Sequence, residues 1–137
     1  MNNNSSIKHQ IVRTVVVMSI ILIIAAIHIF RLGSYLNGNL QAYYYGYASD
    51  VMIPFGVYFL LCLNEIHIQF LRKWYVKALI VFGAMSFSEI MQYFGIYFFG
   101  DTFDWLDILM FAIGVCVAVC FDNFLLKKFV PNWKYSP

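Results

Sequence analysis

Four carboxylate side chains lie within or beside long apolar stretches of this sequence, at Asp50, Glu89, Asp104 and Asp107. Carboxylates in such surroundings bind cations, exchange protons or pair with buried polar groups. If they held a metal ion, their oxygen ligands would suit Mg²⁺ or Ca²⁺ rather than zinc. Glu89 and Gln92 are three residues apart and therefore share one face of a helix. The spacing predicts a polar site built from several helices.

Each acid also has a purely structural interpretation. Asp101 and Asp104 are typical of a solvated loop, and Asp107 is equally typical of a helix cap or first turn, where the helix dipole stabilises an acid. Asp50 fits the headgroup region equally well if its helix begins late. Glu89 has membrane-buried neighbours on both sides, so we expect it in a site or in a buried contact with the glutamine one turn on.

The remaining reactive residue types point to packing rather than chemistry. Cys116 and Cys120 share a helical face among Val and Ala, where thiols usually act as small packing residues. His28 is expected to be packed or interfacial. Asp122, followed by two lysines, is interpreted as the solvated end of a helix. The sequence contains no zinc spacing, phosphate loop or Ser-His-Asp set, which favours a binding function over catalysis.

The composition excludes several classes of protein. Of 137 residues, 62% are hydrophobic and 12% are charged, whereas a soluble domain has about 25% charged residues. This balance excludes a disordered chain, a nucleic-acid-binding module and an ordinary soluble enzyme. Three cysteines are too few for a secreted disulfide framework. We interpret residues 1–137 as one integral membrane domain.

Four segments are apolar enough for membrane-spanning helices, which need about 20 such residues each. The predicted spans are residues 12–30, 44–63, 78–97 and 105–124. The expected fold is therefore an all-α, four-helix transmembrane bundle. Pro54 predicts a kink in the second span. Gly114 and Ala118 form a small-xxx-small pair that allows helices to approach closely.

The distribution of basic residues predicts the orientation. Eight of the nine Lys and Arg residues lie on one side of this four-span arrangement, and only Arg31 lies on the other. Both termini are therefore expected in the cytoplasm, in a multi-pass plasma-membrane protein. The four carboxylates then lie in the outer half, with Asp50 roughly 9 Å and Glu89 roughly 12 Å inside their spans at 1.5 Å per residue. We expect them to form one outward-facing acidic pocket.

The second to fourth spans resemble the VanZ-like family of small bacterial membrane proteins. That family carries E-x-x-Q near the end of one helix, then D-x-x-D, then a glycine seven residues on. It also carries D-x-x-x-H-x-x-x-Y in an earlier helix. The matching positions here are Asp50, Tyr58, Glu89, Gln92, Asp104, Asp107 and Gly114. The resemblance covers about half of the chain, from Asp50 to Gly114, and implies that Tyr58 belongs to the same pocket.

The sequence departs from the family pattern where that pattern has basic and amide residues. Pro54 stands in place of the histidine, Val51 in place of a lysine and Phe111 in place of an asparagine. The arginine that commonly precedes D-x-x-D is missing. The carboxylates are thus retained without their usual partners.

The resemblance implies a cell-envelope protein linked to resistance against glycopeptide antibiotics such as teicoplanin. Combined with the acids, it leads us to expect a pocket that binds a cation or the headgroup of a lipid or cell-wall precursor. Two alternatives remain open. One is an enzyme acting on a lipid-linked substrate with Mg²⁺ or Ca²⁺ held by the four carboxylates, and the other is a carrier coupled to protons or cations through Glu89.

Overall fold

The computed structural model describes residues 3–96 and 103–133. Within them, four long helices alternate in direction along the chain, and the expectation of an all-α four-helix bundle is confirmed. The helices are α1 (Asn3–Ile29), α2 (Asn39–Leu63), α3 (Trp74–Tyr93) and α4 (Trp105–Cys120). The four stretches long and apolar enough to cross a membrane are Ile7–Ile29, Asn39–Ile66, Trp74–Tyr93 and Trp105–Phe129. The chain is therefore a multi-pass membrane protein.

The third span lies about one helical turn earlier than the sequence predicts. Helix α3 begins at Trp74 because Lys73, in extended conformation, precedes it. It ends at Tyr93 because Gly95 adopts a positive φ of 77°. The amides of Gly95 and Ile96 then bond back to Gln92 and Met91, each at 2.9 Å, and close the helix end. The predicted end of this span, Tyr97, lies outside the described residues.

Helix α2 is the centre of the bundle. It packs against α4 along much of its length and also contacts α1 and α3. It runs as one helix through the buried Pro54, whose ring nitrogen cannot donate to the carbonyl of Asp50. The core is apolar and aromatic, with Val17, Tyr58, Phe59, Val81, Val115 and Ala118 among its members.

Gly114 marks the closest approach of α2 and α4. A Cβ atom at this position would collide with the backbone carbonyl of Val51. Ala118, one turn further along α4, is fully buried in the core. Small residues on α4 thus allow the two helix backbones to approach each other directly.

The ends of the four helices define two ends of the molecule. At the acidic end, α1 finishes at Ile29 and α3 at Tyr93, while α2 and α4 begin at Asn39 and Trp105. At the ion-paired end, α4 continues through a π-helical turn, Phe121–Leu126, and a short helix α5, Lys127–Phe129. The candidate polar residues divide between these two ends.

Candidate functional site

At the acidic end, Glu89 binds the start of α4. Its side chain is only 3% exposed, and its Oε1 accepts the backbone N–H of Asp104 at 2.8 Å. Asp104 is the N-cap of α4, where its Oδ1 accepts the N–H of Leu106 at 2.9 Å. Two carboxylates thus satisfy backbone donors at this helix N-terminus, where the dipole also stabilises negative charge.

Asp50 and Asp107 form a second pair of acids beside the first. Asp50 comes from α2 and Asp107 from the first turn of α4, and their side chains are close enough to interact electrostatically. Glu89 and Asp104 are close enough to interact electrostatically with both. The four predicted acids therefore meet at one end of the bundle.

An open groove of about 390 Å³ reaches this cluster from the side. Its walls are formed by α2 and the start of α4, and its lining residues are Ala42, Tyr43, Gly46, Tyr47, Asp104 and Asp107. The rings of Tyr43 and Tyr47 stack with centroids 6.4 Å apart. The Tyr47 hydroxyl donates to Asp104 Oδ2 at 3.4 Å. Two aromatic rings and two carboxyl groups thus share one groove.

Glu89 lies nearer the end of its helix than the sequence predicts. Because α3 ends at Tyr93, four residues later, the distance along the helix is about 6 Å rather than 12 Å. Its partner is the backbone of Asp104. Gln92 is buried on the same face of α3, but within the described residues its amide makes no hydrogen bond to Glu89 or to another group.

The metal interpretation needs at least three ligands in one place. In the described part of the chain, no three His, Cys, Asp or Glu side chains are arranged closely enough to hold a metal ion. The four acidic side chains therefore interact with one another but do not form a metal-binding site; they are Asp50, Glu89, Asp104 and Asp107. Asp101 lies outside the described residues.

Tyr58 belongs to the other end of the molecule, contrary to its assignment to the acidic pocket. Its hydroxyl donates to Asp122 Oδ2 at 2.9 Å. The reason is the helix rise, since eight residues of α2 separate Tyr58 from Asp50 by about 12 Å. Asp122 itself is 1% exposed and not a solvated helix end.

Asp122 is the hub of a buried network at the ion-paired end. Its Oδ1 accepts the indole N–H of Trp133 at 2.8 Å. Its Oδ2 lies 3.3 Å from the ammonium of Lys77 and 3.6 Å from that of Lys127. The π-helical turn Phe121–Leu126 carries this aspartate, and such turns are frequent at functional sites.

The network extends from Lys77 to the first helix. Lys77, 1% exposed, also pairs with Glu65 and donates to Cys62 Sγ at 3.2 Å. Glu65 in turn accepts from Arg13 at 2.8 Å. Arg13 donates to the Trp133 carbonyl through Nε at 3.2 Å and through Nη2 at 2.9 Å. Two buried cations and two buried carboxylates thereby join all four helices and the C-terminal segment.

The sequence does not reveal this network when each charge is considered alone. The predicted spans 44–63 and 78–97 leave Lys77 in the loop between them, and Asp122 is followed by two lysines that favour a solvated helix end. One signal was present: Asp122 is separated from those lysines by Phe124, Leu125 and Leu126, so it lies inside the apolar run.

Comparisons with known proteins return no match to a family model, a curated protein or a solved structure. The resemblance to the VanZ-like family therefore rests on the spacing of the residues themselves.

Proposed function

We propose that the acidic end binds a cationic group, in particular the ammonium of a lipid or cell-wall headgroup. The observation that carries this proposal is the groove in which Tyr43 and Tyr47 stand beside Asp104 and Asp107. Aromatic faces attract ammonium ions within about 6 Å of the ring centroid, with quaternary ammonium as the preferred partner. Carboxyl groups beside the rings add direct charge pairing.

The same features favour an ammonium over a divalent metal ion. Divalent ions prefer several oxygen ligands converging on one point, and the described acids do not provide three such ligands together. An ammonium needs fewer direct contacts and gains from the flat tyrosine faces. Asp50 and Glu89, behind the groove, add negative potential without having to touch the ligand.

The wider biological setting belongs to the proposal as well. The basic residues favour cytoplasmic termini, which would direct the groove outwards at the plasma membrane of a bacterium. An outward groove at headgroup level would meet lipids and lipid-linked cell-wall precursors. This setting agrees with the glycopeptide resistance that the VanZ-like resemblance implies, and changed teicoplanin susceptibility on expression would test that link.

Calorimetric titration of the purified chain in detergent tests the proposal. Tetramethylammonium and ethanolamine are the probes, and both should bind the wild-type chain. Asp107→Asn and Tyr47→Leu should each weaken binding by about tenfold, the loss expected for one charge-assisted or cation–π contact. Tyr35→Leu is the matched control, because Tyr35 is an exposed tyrosine at the same end that does not line the groove.

Mg²⁺ is titrated in parallel. Tighter binding of Mg²⁺ than of either ammonium, lost in Asp107→Asn, would contradict the proposal and favour the metal-dependent alternative. Equal binding of ammonium by wild type and both groove variants would also overturn it.

A further inference from the structure

A second cavity at the acidic end lies on the opposite side of α2. It is a partly open crevice of about 60 Å³ between the end of α1 and the first half of α2. Its polar lining comes from His28, Arg31 and Ser49 and from the hydroxyl-bearing Tyr44 and Tyr45. The rest of the lining is apolar, from Ile27, Ala48 and Met52.

Arg31 occupies a backbone position that disfavours its residue type. It follows the last turn of α1 with φ 47° and ψ 52°, in the left-handed region, and its N–H bonds to the carbonyl of His28 at 3.2 Å. Helices that end this way usually have Gly or Asn there, because a Cβ atom is unfavourable. An arginine at this position indicates that its side chain contributes something a glycine would not.

Arg31 is an exposed cation, unlike the buried Arg13 and Lys77. In the part of the chain that the structure describes, none of the ion pairs involves Arg31. None of the residues that line the crevice is acidic. Asp50, the nearest acid along α2, does not line the crevice and lies near Asp107. The crevice is thus positively charged although it lies at the acidic end.

The polar groups beside Arg31 are held in place. His28 Nδ1 lies 3.0 Å from the carbonyl of Ile24, so this nitrogen carries the proton and donates. Its Nε2 lies 3.1 Å from Ser49 Oγ, which ties α1 to α2. Tyr44 is fixed against Gly33, where a Cβ atom would collide with the tyrosine ring.

We propose that this crevice binds the phosphate of a membrane phospholipid. Arg31 would pair with the phosphate oxygens, since a guanidinium matches phosphate geometry well. The hydroxyls of Tyr44 and Tyr45 are suited to donate further hydrogen bonds. The apolar part of the lining continues along the helices, where the first carbons of an acyl chain would lie. A lipid fits this combination better than free phosphate, which gains nothing from an apolar wall.

Arg31→Asn provides a sharp test, because it separates stability from binding. Asn tolerates the left-handed conformation, so the lipid-free variant should melt at the same or a higher temperature than wild type. Phosphatidylglycerol should bind wild type in detergent and raise its melting temperature. In Arg31→Asn its affinity should fall by about tenfold or more, as expected for loss of a charged hydrogen-bond donor. Arg31→Lys should retain part of the affinity.

The controls separate this proposal from the one for the groove. Lys8→Gln removes an exposed cation at the other end and should leave phosphatidylglycerol binding unchanged. Asp107→Asn should weaken ammonium binding but leave phosphatidylglycerol binding unchanged. Unchanged lipid affinity in Arg31→Asn would overturn the proposal. Inorganic phosphate binding as tightly as the lipid, or diacylglycerol without phosphate doing so, would overturn the assignment to a phospholipid.

Discussion

Arg13 and Trp133 are 120 residues apart in the chain and are joined by two hydrogen bonds from the guanidinium to the tryptophan carbonyl. The guanidinium carbon also lies 5.5 Å from the centre of the indole ring. Because the same indole donates to Asp122, Trp133 closes the ion-paired end over its buried charges. Trp133, which follows α5 in the chain, is therefore part of the folded core.

Trp133→Ala should open this end to solvent. Loss of a buried tryptophan costs about 3–5 kcal/mol of unfolding free energy, and it uncovers Cys62, which is fully buried beside Lys77. The measurement is the rate of maleimide labelling at Cys62 in a Cys116→Ser/Cys120→Ser background. It should rise in Trp133→Ala and stay low in Trp74→Ala, which removes an exposed tryptophan. Equal labelling in both variants would contradict a closing role for Trp133.

The single substitution Lys77→Met should destabilise the bundle more than a double substitution that also neutralises a paired carboxylate. Lys77 pairs with both Glu65 and Asp122. Its removal leaves Glu65 paired with Arg13, but it leaves the buried Asp122 with only the partly exposed Lys127, at 3.6 Å. Breaking a buried pair in this way costs about 3–5 kcal/mol. The double variant Lys77→Met/Asp122→Asn also removes the carboxylate that has lost its nearer cation and should be more stable than Lys77→Met. Denaturant unfolding in detergent measures both, and strictly additive losses would show that the residues do not interact.

Gly114→Leu should disrupt the contact between α2 and α4, because even a Cβ atom meets the Val51 carbonyl. Gly114→Ala should cost about 1–3 kcal/mol, the usual range for overpacking. Gly83→Ala is the matched control: it is also a helical glycine, but a Cβ there meets nothing within 4 Å. That control should be neutral or stabilising by up to about 1 kcal/mol. Equal melting temperatures for the two alanine variants would contradict the close approach.

Glu89→Gln and Glu89→Ala should differ in stability. The amide oxygen of glutamine can still accept the N–H of Asp104, whereas alanine leaves this donor at the start of α4 without a partner. An unsatisfied buried donor costs about 1–3 kcal/mol, so only the alanine variant should melt clearly earlier. If Glu89→Gln fails to fold, the negative charge itself is essential and an additional cation must be present.

The orientation can be tested with reporter fusions. Because the positive-inside rule applies to the short loops, fusions at Pro137 should report the cytoplasm and insertions within residues 38–41 should report the opposite side. A periplasmic or extracellular signal from the Pro137 fusion would reverse the orientation and place the acidic end inside.

The sequence predicts the helices better than it predicts their polar contacts. Each span can be recognised in the sequence because a membrane-spanning helix needs about 20 apolar residues. This property depends on the composition of one segment at a time. The ends of the helices are harder to predict. Hydropathy excludes Lys77 from the third span, but α3 includes it because Glu65 and Asp122 neutralise its charge. Such pairing depends on three separate elements and leaves no local pattern.

For the acidic residues, too, the position along a helix is easier to predict than the contacts of the side chain. Their three-residue spacing indicates that Glu89 and Gln92 share a helical face, and the order of the spans brings Asp50 near Asp107. The bond from Asp104 to Glu89 involves a backbone N–H, which side-chain patterns do not reveal. The prediction that Tyr58 belongs to the acidic pocket is wrong because the family pattern groups Tyr58 with Asp50 in one motif, whereas the rise of α2 places them far apart.

The contact between Arg13 and Trp133 also has a consequence for biosynthesis. Arg13 and Trp133 are 120 residues apart in the chain. A ribosome that adds about 5–20 residues per second therefore makes Trp133 several seconds after Arg13. During that interval the guanidinium is inside or beside the first span without its two bonds to the tryptophan carbonyl. The ion-paired end can therefore be completed only after the last helix has been inserted. Until then, the insertion machinery must accommodate the charges of Arg13, Glu65 and Lys77 without Trp133 covering them.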